Sequence, residues 1–215
     1  MTINSIPRLL ILDLDDTLFA THSIGEEAVR PLLQLIRRLL NPLLGYVQTE
    51  DLIQLLWKRP FDVVMAQYKV AQSIQAQIIH QIQQLAFDFD IFVFEDYPYL
   101  QQLPIEKILV TTGFRPLQEA KIKALGIQKD FQAIYIDDPT DQPRQHKEGL
   151  FEMILTNWAT AEERVWVIGD NPDSELKAGK TLGLKTIQRI VPGQVKSHNA
   201  DYGVYSFEEL STILS

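Results

Sequence analysis

Leu9-Leu10-Ile11-Leu12-Asp13-Leu14-Asp15-Asp16-Thr17-Leu18-Phe19 constrains the fold more than any other stretch, because an apolar run stops abruptly at three carboxylates. A run of this kind suits a strand buried in a parallel sheet. Open α/β sheets place their ligand crevice outside the carboxyl ends of the strands, which is where Asp13 and Asp15 then fall. Residues two apart on an extended chain point the same way, so these two acids share a face while Asp16 points away. Carboxylates so close together repel unless a cation or a proton lies between them. Asp-rich turns after strands are common, and the pair gains meaning only from the rest of the chain.

Past Phe19 the texture changes. Residues from about Ser23 to Phe87 read as helices. Ser23-Ile24-Gly25-Glu26 has the capping-box pattern and opens a segment with Val29, Leu32, Leu33, Ile36 and Leu40, stopped by Asn41-Pro42. Thr49 is placed to cap a second helix through Leu52, Ile53, Leu56 and Trp57, ended by Arg59-Pro60. A third carries Val63, Val64, Ala66, Tyr68 and Val70. A fourth sets Ile74, Ile78, Ile82 and Leu85 on one stripe, its glutamines reading as a solvated face. Residues 89–98, ending in Tyr97-Pro98, are expected to be the return linker. From Glu106 onward short β-like runs (Ile108–Val110, Ala133–Ile136, Val165–Ile168, Leu184–Ile187) alternate with helical stretches at 115–125, 147–158 and 173–182. Ser206-Phe207-Glu208-Glu209 caps a short last helix. Alternating β and α implies an α/β fold with a doubly wound parallel sheet, its first strand separated from the second by an all-helical block.

A chain of 215 residues is large for one domain and small for two, as a core with an inserted module would be. A net charge of −8 argues against a nucleic-acid or anionic-membrane binder, whose footprint is basic. It leaves room for a phosphate substrate, since a bound divalent cation can reverse the local field. With no cysteine, disulfides, thiolate metal sites and cysteine nucleophiles are excluded. No apolar run reaches membrane-spanning length, and the expected compartment is the cytoplasm.

Four polar punctuations fall at the ends of the expected strands or helix starts: Asp13/Asp15/Thr17, Thr111-Thr112-Gly113, Lys147, and Gly169-Asp170 with Glu175. Right-handed crossovers bring the carboxyl ends of parallel strands to one edge, so these groups can converge. Acids, a hydroxyl and a lysine together make a site for an anion bound with a divalent cation. Lys147 at a helix start sits against the helix dipole, a mild misfit that favours a functional lysine over a surface one.

DLDDT, ILVTTG, Lys147 and GDNPDSELKAG, in that order, resemble the four motifs of the haloacid dehalogenase-like superfamily, mostly magnesium-dependent phosphatases. The resemblance covers the whole core, and the helical block is similar to that family's cap inserted after the first motif. It implies a Rossmannoid core over residues 1–19 and 97–215 with a helical cap over 20–96. It implies an aspartyl-phosphate mechanism on a small phosphorylated metabolite, with Asp13 as nucleophile and Asp15 as general acid and base. Thr111 and Lys147 would hold the phosphoryl oxygens. Thr112 and Arg115 are further candidates for substrate contact, against the alternatives of a turn-supporting hydroxyl and a solvated helix-start arginine. Mg²⁺ would be bound by Asp13, the backbone carbonyl of Asp15, Asp170 and Glu175, although the family commonly has Asp at the last position. Asp173 is an alternative acid there, better read as a helix N-cap. His22 lies at the expected hinge, and the other histidines fit no ligand spacing. A phosphomutase would keep all four motifs. A dehalogenase usually lacks the acid equivalent to Asp15, and a non-catalytic binding protein has no need of the intact set.

Overall fold

The computed structural model describes residues 7–158, 162–191 and 193–214; residues 1–6 and 215, at the ends of the expected core, lie outside them. Six strands among these residues form one sheet: β1 (Leu9–Leu12), β2 (Glu106–Thr112), β3 (Ala133–Asp137), β4 (Val165–Gly169), β5 (Lys185–Arg189) and β6 (Tyr202–Val204). Their order is β3-β2-β1-β4-β5-β6, and every neighbouring pair is parallel. Winding proceeds outward from β1 in both directions, which places the topological switch point between β1 and β4.

The apolar strands alternate faces as an extended backbone requires. Leu10, Leu12, Leu109, Trp166 and Ile168 belong to one buried cluster, and Leu9, Ile11, Ile108, Val165 and Val167 to the other. The second face is covered by Leu150, Phe151 and Ile154 of α7 (His146–Asn157) and Ala178 of α8 (Glu175–Thr181). The first face takes Ile122 of α6 (Arg115–Leu125), Leu100 of α5 (Tyr97–Gln102) and Leu210 of α9 (Leu210–Ile213). Both faces of β1 are thus dry, as its unbroken apolar run demands.

Between β1 and β2 the chain makes a helical insert: α1 (Arg30–Leu44), α2 (Tyr46–Leu56), α3 (Phe61–Gln67) and α4 (Gln72–Ile82). Its entry and exit are tied together by a backbone bond from the Phe94 N–H to the Leu18 carbonyl, 2.9 Å. No helix among the described residues is long and apolar enough to cross a membrane.

Several boundaries differ from the sequence reading. Ser23 caps no helix. It ends a 3-10 turn (Thr21–Ser23), its hydroxyl donates to the Ala20 carbonyl, and α1 starts at Arg30 with Pro31 in its first turn. Pro42 does not stop α1: it lies inside the helix, which runs on to Leu44 without the N–H that would have bonded the Arg38 carbonyl. Gly45, at φ 78°, closes the helix by donating to the Asn41 carbonyl. Thr49 lies inside α2, its hydroxyl bonded back to the Gly45 carbonyl at 2.9 Å. Tyr97-Pro98, expected to close the linker, opens α5 instead, and β6 is a short edge strand with no strong sequence signal.

Candidate active site

The carboxyl ends of β1, β2 and β4 meet the first turn of α7 around Asp13. The Asp13 N–H donates to the Ile168 carbonyl at 3.0 Å, which pins the loop after β1 against β4. Lys147 reaches in from α7 and its Nζ lies 2.6 Å from Asp13 Oδ1 and 2.7 Å from Glu175 Oε2. Asp13, Lys147 and Glu175 are 6%, 7% and 2% exposed, so this is a buried ion pair network shut off from solvent screening. The other Glu175 oxygen accepts the Asn171 N–H at 2.6 Å. One carboxylate oxygen each from Asp13, Asp170 and Glu175 lie within 4.8 Å of one another.

Glu175 reaches this position because Gly169 has no side chain. A Cβ there would collide with the Glu175 Cγ, so the extra methylene relative to Asp occupies the space the glycine leaves. Asp173 caps nothing: its N–H donates to the Asn171 side chain at 3.0 Å, and Ser174 precedes α8. Thr17 is fully buried, with its hydroxyl 3.5 Å from Asp170 Oδ1.

Three carboxylates against one ammonium leave excess negative charge in a low-dielectric place. Burial, reinforced by the Glu175 charge against the opposing pull of Lys147, pushes the Asp13 carboxyl up to about 7. Burial, then the charges of Glu175 and Asp13, push Asp170 up to about 9. Burial works to discharge Lys147, but Asp13 and Glu175 hold it above the usual lysine range. The cluster lacks positive charge, and its donors are hard oxygens. Both properties fit a divalent cation of the magnesium or calcium type.

Asp15 faces a second set of partners, two of them on α6. The Lys121 Nζ lies 2.7 Å from its Oδ1, the Gln118 Nε2 2.9 Å from its Oδ2, and the Thr21 hydroxyl 3.3 Å from its Oδ1. Burial works to raise its pKa, but the Lys121 charge and these hydrogen bonds override it and hold the carboxyl below the usual range. Asp16, at φ 53°, accepts the Thr21 N–H at 2.8 Å and so shapes the turn. Thr111, at the end of β2, is fully buried and its Oγ1 accepts from Gln118 Nε2, which links it to Asp15.

The remaining candidates divide. Thr112 lines the cleft, with its hydroxyl donating to Asp137 at 3.0 Å. Asp137 also takes both arms of Arg144, at 2.8 and 2.7 Å, and Arg144 in turn lies 2.5 Å from Asp62 of α3. Arg115 is not brought to the cleft. Its backbone N–H donates to Asp138 at 2.7 Å while its half-exposed guanidinium turns to Asp141, 3.6 Å away. His22 is exposed and outside the cleft, whereas Trp57, at the end of α2, is half-buried on its wall. Gln118, Lys121 and Arg144 were not anticipated. A signal for two of them exists: Gln118, Lys121 and Ile122 share the buried face of α6, and a lysine on such a face requires a partner.

Asp13, Asp15, Thr111, Thr112, Gln118, Lys121, Lys147, Asp170 and Glu175 all open onto one cleft of about 970 Å³ between the sheet's carboxyl edge and the helical insert. A family profile described as haloacid dehalogenase-like hydrolase matches residues 10–188, and the chain belongs to that family. A glyceraldehyde 3-phosphate phosphatase of Methanocaldococcus jannaschii is 29% identical over 119 residues, 54% of this chain and 51% of that one. The match thus spans about half the length of the curated relative. The hydrolase YfnB of Bacillus subtilis, solved bound to magnesium, superposes with a TM-score of 0.62 at 19% identity, covering 97% of this chain and 99% of its own. A phosphatase of this family from Thermococcus onnurineus gives a TM-score of 0.62 at 16% identity, with coverage of 97% and 98%. At these identities the structural likeness is one of fold alone.

Proposed function

We propose that the chain is a Mg²⁺-dependent phosphatase that hydrolyses a small phosphomonoester through an aspartyl-phosphate on Asp13. The observation that carries this reading is the buried Asp13–Lys147–Glu175 network beside Asp170, at the switch point of a sheet belonging to this hydrolase family. The name of the archaeal relative supports phosphoryl chemistry over dehalogenation.

In the proposed reaction an Asp13 oxygen attacks phosphorus, the bond from phosphorus to the ester oxygen breaks, and the departing oxygen takes a proton from Asp15. Asp15, now a carboxylate, takes a proton from water as that water attacks the phosphorus of the aspartyl-phosphate. Phosphate leaves and Asp13 is restored. Lys121 favours the ionised Asp15, which suits the second half. For the first half the carboxyl must turn from Lys121 toward the leaving oxygen, where the phosphoryl charge raises its proton affinity. Lys147 offsets the phosphoryl charge and orients Asp13, and Thr111 offers a hydroxyl at the end of β2. Asp13, the Asp15 carbonyl, Asp170 and Glu175 are the groups we assign to the cation, which would supply charge neutralisation for the transferring phosphoryl group. Residues 20–96 serve in this reading as a cap over the core of 1–19 and 97–215, with Asp62–Arg144 as a contact across the cleft.

Phosphate release from p-nitrophenyl phosphate, with Mg²⁺ and after chelation, tests the reading directly. Asp13→Asn should abolish turnover while circular dichroism shows an unchanged fold. Substantial activity in that variant would overturn the assignment.

A further inference from the structure

The cleft does not end at the phosphoryl site. It continues under the insert, and there its walls are apolar: Leu32 of α1, Leu56 and Trp57 at the end of α2, Phe61 of α3, and Phe114 and Leu117 at the start of α6. Phe61 and Phe114 meet edge to face with centroids 5.0 Å apart, which joins the two halves of the molecule in an aromatic contact. Leu32, Leu56, Trp57 and Leu117 are only half-buried, so apolar surface remains available to a ligand.

Five polar side chains of the cleft are already engaged. Thr21, Gln118 and Lys121 converge on Asp15, while Thr112 and Arg144 converge on Asp137. Lys58 and Arg59 are exposed at the rim. A sugar or polyol would carry several hydroxyls into this space, and each hydroxyl buried without a partner is costly. An apolar group there would instead shed water against leucine and aromatic surface. The volume, about 970 Å³, lies at the upper end of the range of pockets that enclose whole organic ligands, far beyond what a phosphate needs.

From this wall, and resting on the phosphatase reading above, we infer that the substrate's leaving group is an apolar alcohol or phenol, not a sugar, triose or polyol. The phosphoryl group sits among Asp13, Thr111 and Lys147, and the hydrocarbon extends between Leu32, Trp57 and Leu117. Specificity then comes from area buried under the insert, and polar esters such as glyceraldehyde 3-phosphate are poor substrates.

The test is a homologous series of ethyl, butyl, hexyl and octyl phosphates on the purified Mg²⁺-supplied protein, with glycerol 3-phosphate and glyceraldehyde 3-phosphate as polar comparators and p-nitrophenyl phosphate as a general probe. We expect kcat/KM to rise about two- to fourfold per added methylene until the wall is reached, with both polar esters below butyl phosphate. Leu32→Gln should flatten the slope of the series. A flat or falling series, or a preference for the polar esters, while p-nitrophenyl phosphate is still hydrolysed, overturns this inference and leaves the phosphatase reading standing. Failure of every ester, p-nitrophenyl phosphate included, in a folded Mg²⁺-supplied protein overturns both.

Discussion

Chelating the protein and then restoring Mg²⁺ should move its melting temperature, and the increment should grow as pH rises. Asp13 and Asp170 are held up to about 7 and about 9, against 3.8 for an unperturbed aspartate. Their raised values arise inside a ring of Asp15, Asp16, Glu175 and Lys147, in which acids outnumber the lysine. Between about pH 4 and those values the folded, chelated protein holds protons that the unfolded chain has released. Stability therefore falls as pH rises through this window, by at most about 1.4 kcal/mol per pH unit for each proton retained. One shared proton between pH 6 and 8 amounts to roughly 2.7 kcal/mol, or about 5–10 °C for a chain of this length. Asp15 does not blur the window: its lowered value stabilises above the unfolded pKa and is lost only as pH falls below it. Lys147, raised, keeps its contribution until far above pH 8. Mg²⁺ at about a hundredfold excess over its Kd stabilises by about 2.7 kcal/mol, so the melting temperature at pH 8 should rise by a similar 5–10 °C. At pH 5.5, where protons compete for the same oxygens, the increment should shrink to a degree or two. Differential scanning fluorimetry at both pH values, with EDTA and then excess Mg²⁺, reads this out. Asp170→Asn should raise the melting temperature of the chelated protein at pH 8 and lose the Mg²⁺ increment. An increment that is absent at pH 8, or equal at both pH values, would refute the charge argument for a cation at this cluster.

Contacts around the same cleft set three more expected outcomes. Gly169→Ala puts a methyl group against the Glu175 side chain; it should cost about 1–3 kcal/mol in denaturant titration and raise the Mg²⁺ needed for half-maximal rate. Lys121→Met removes the charge 2.7 Å from Asp15; kcat should fall about 10- to 100-fold, less than the ~10²–10⁴ of a lost general acid, and Lys121→Arg should recover part of it. Asp62→Asn breaks a contact whose acid is 41% exposed, so KM should change by less than about fivefold with kcat unmoved; a large fall in kcat would mean that Arg144 positions the reaction centre.

The strands and the acids beyond them were legible because parity and burial act locally. An apolar run interrupted by Asp13 can hardly be anything but a strand leaving a core, and the same holds for Val165–Gly169 before Asp170. Helix boundaries in the insert were less legible. Ser23 and Ser206 carry the same pattern of a hydroxyl with an acid three residues later. At Ser206 the hydroxyl accepts the Glu208 N–H and Glu209 accepts the Ser206 N–H in return, so the capping box forms. At Ser23 the preceding turn is already committed, because Asp16 has taken the Thr21 N–H and the chain is still leaving the acidic loop after β1. Lys121 and Gln118 escaped for a related reason: helical spacing shows that they share a face, but only the packing of α6 against the β1 loop turns that face toward Asp15.

Glu175 depends on its surroundings in the same way. In sequence it reads as a departure, one methylene longer than the acid its family commonly has there. In the folded chain the departure is matched by an absence six residues earlier, since the space beside Gly169 is where that methylene lies. Its carboxylate then serves Lys147 and the Asn171 N–H together, which fixes the loop after β4 and the lysine beside Asp13. Shortening Glu175 to Asp would open a gap against Gly169 and pull one of those two bonds long. A double change that refilled the gap, Gly169→Ala with Glu175→Asp, should therefore recover stability and Mg²⁺ response that neither single change retains. Such a coupling between the two positions is the mark of one built unit, not of two independent residues.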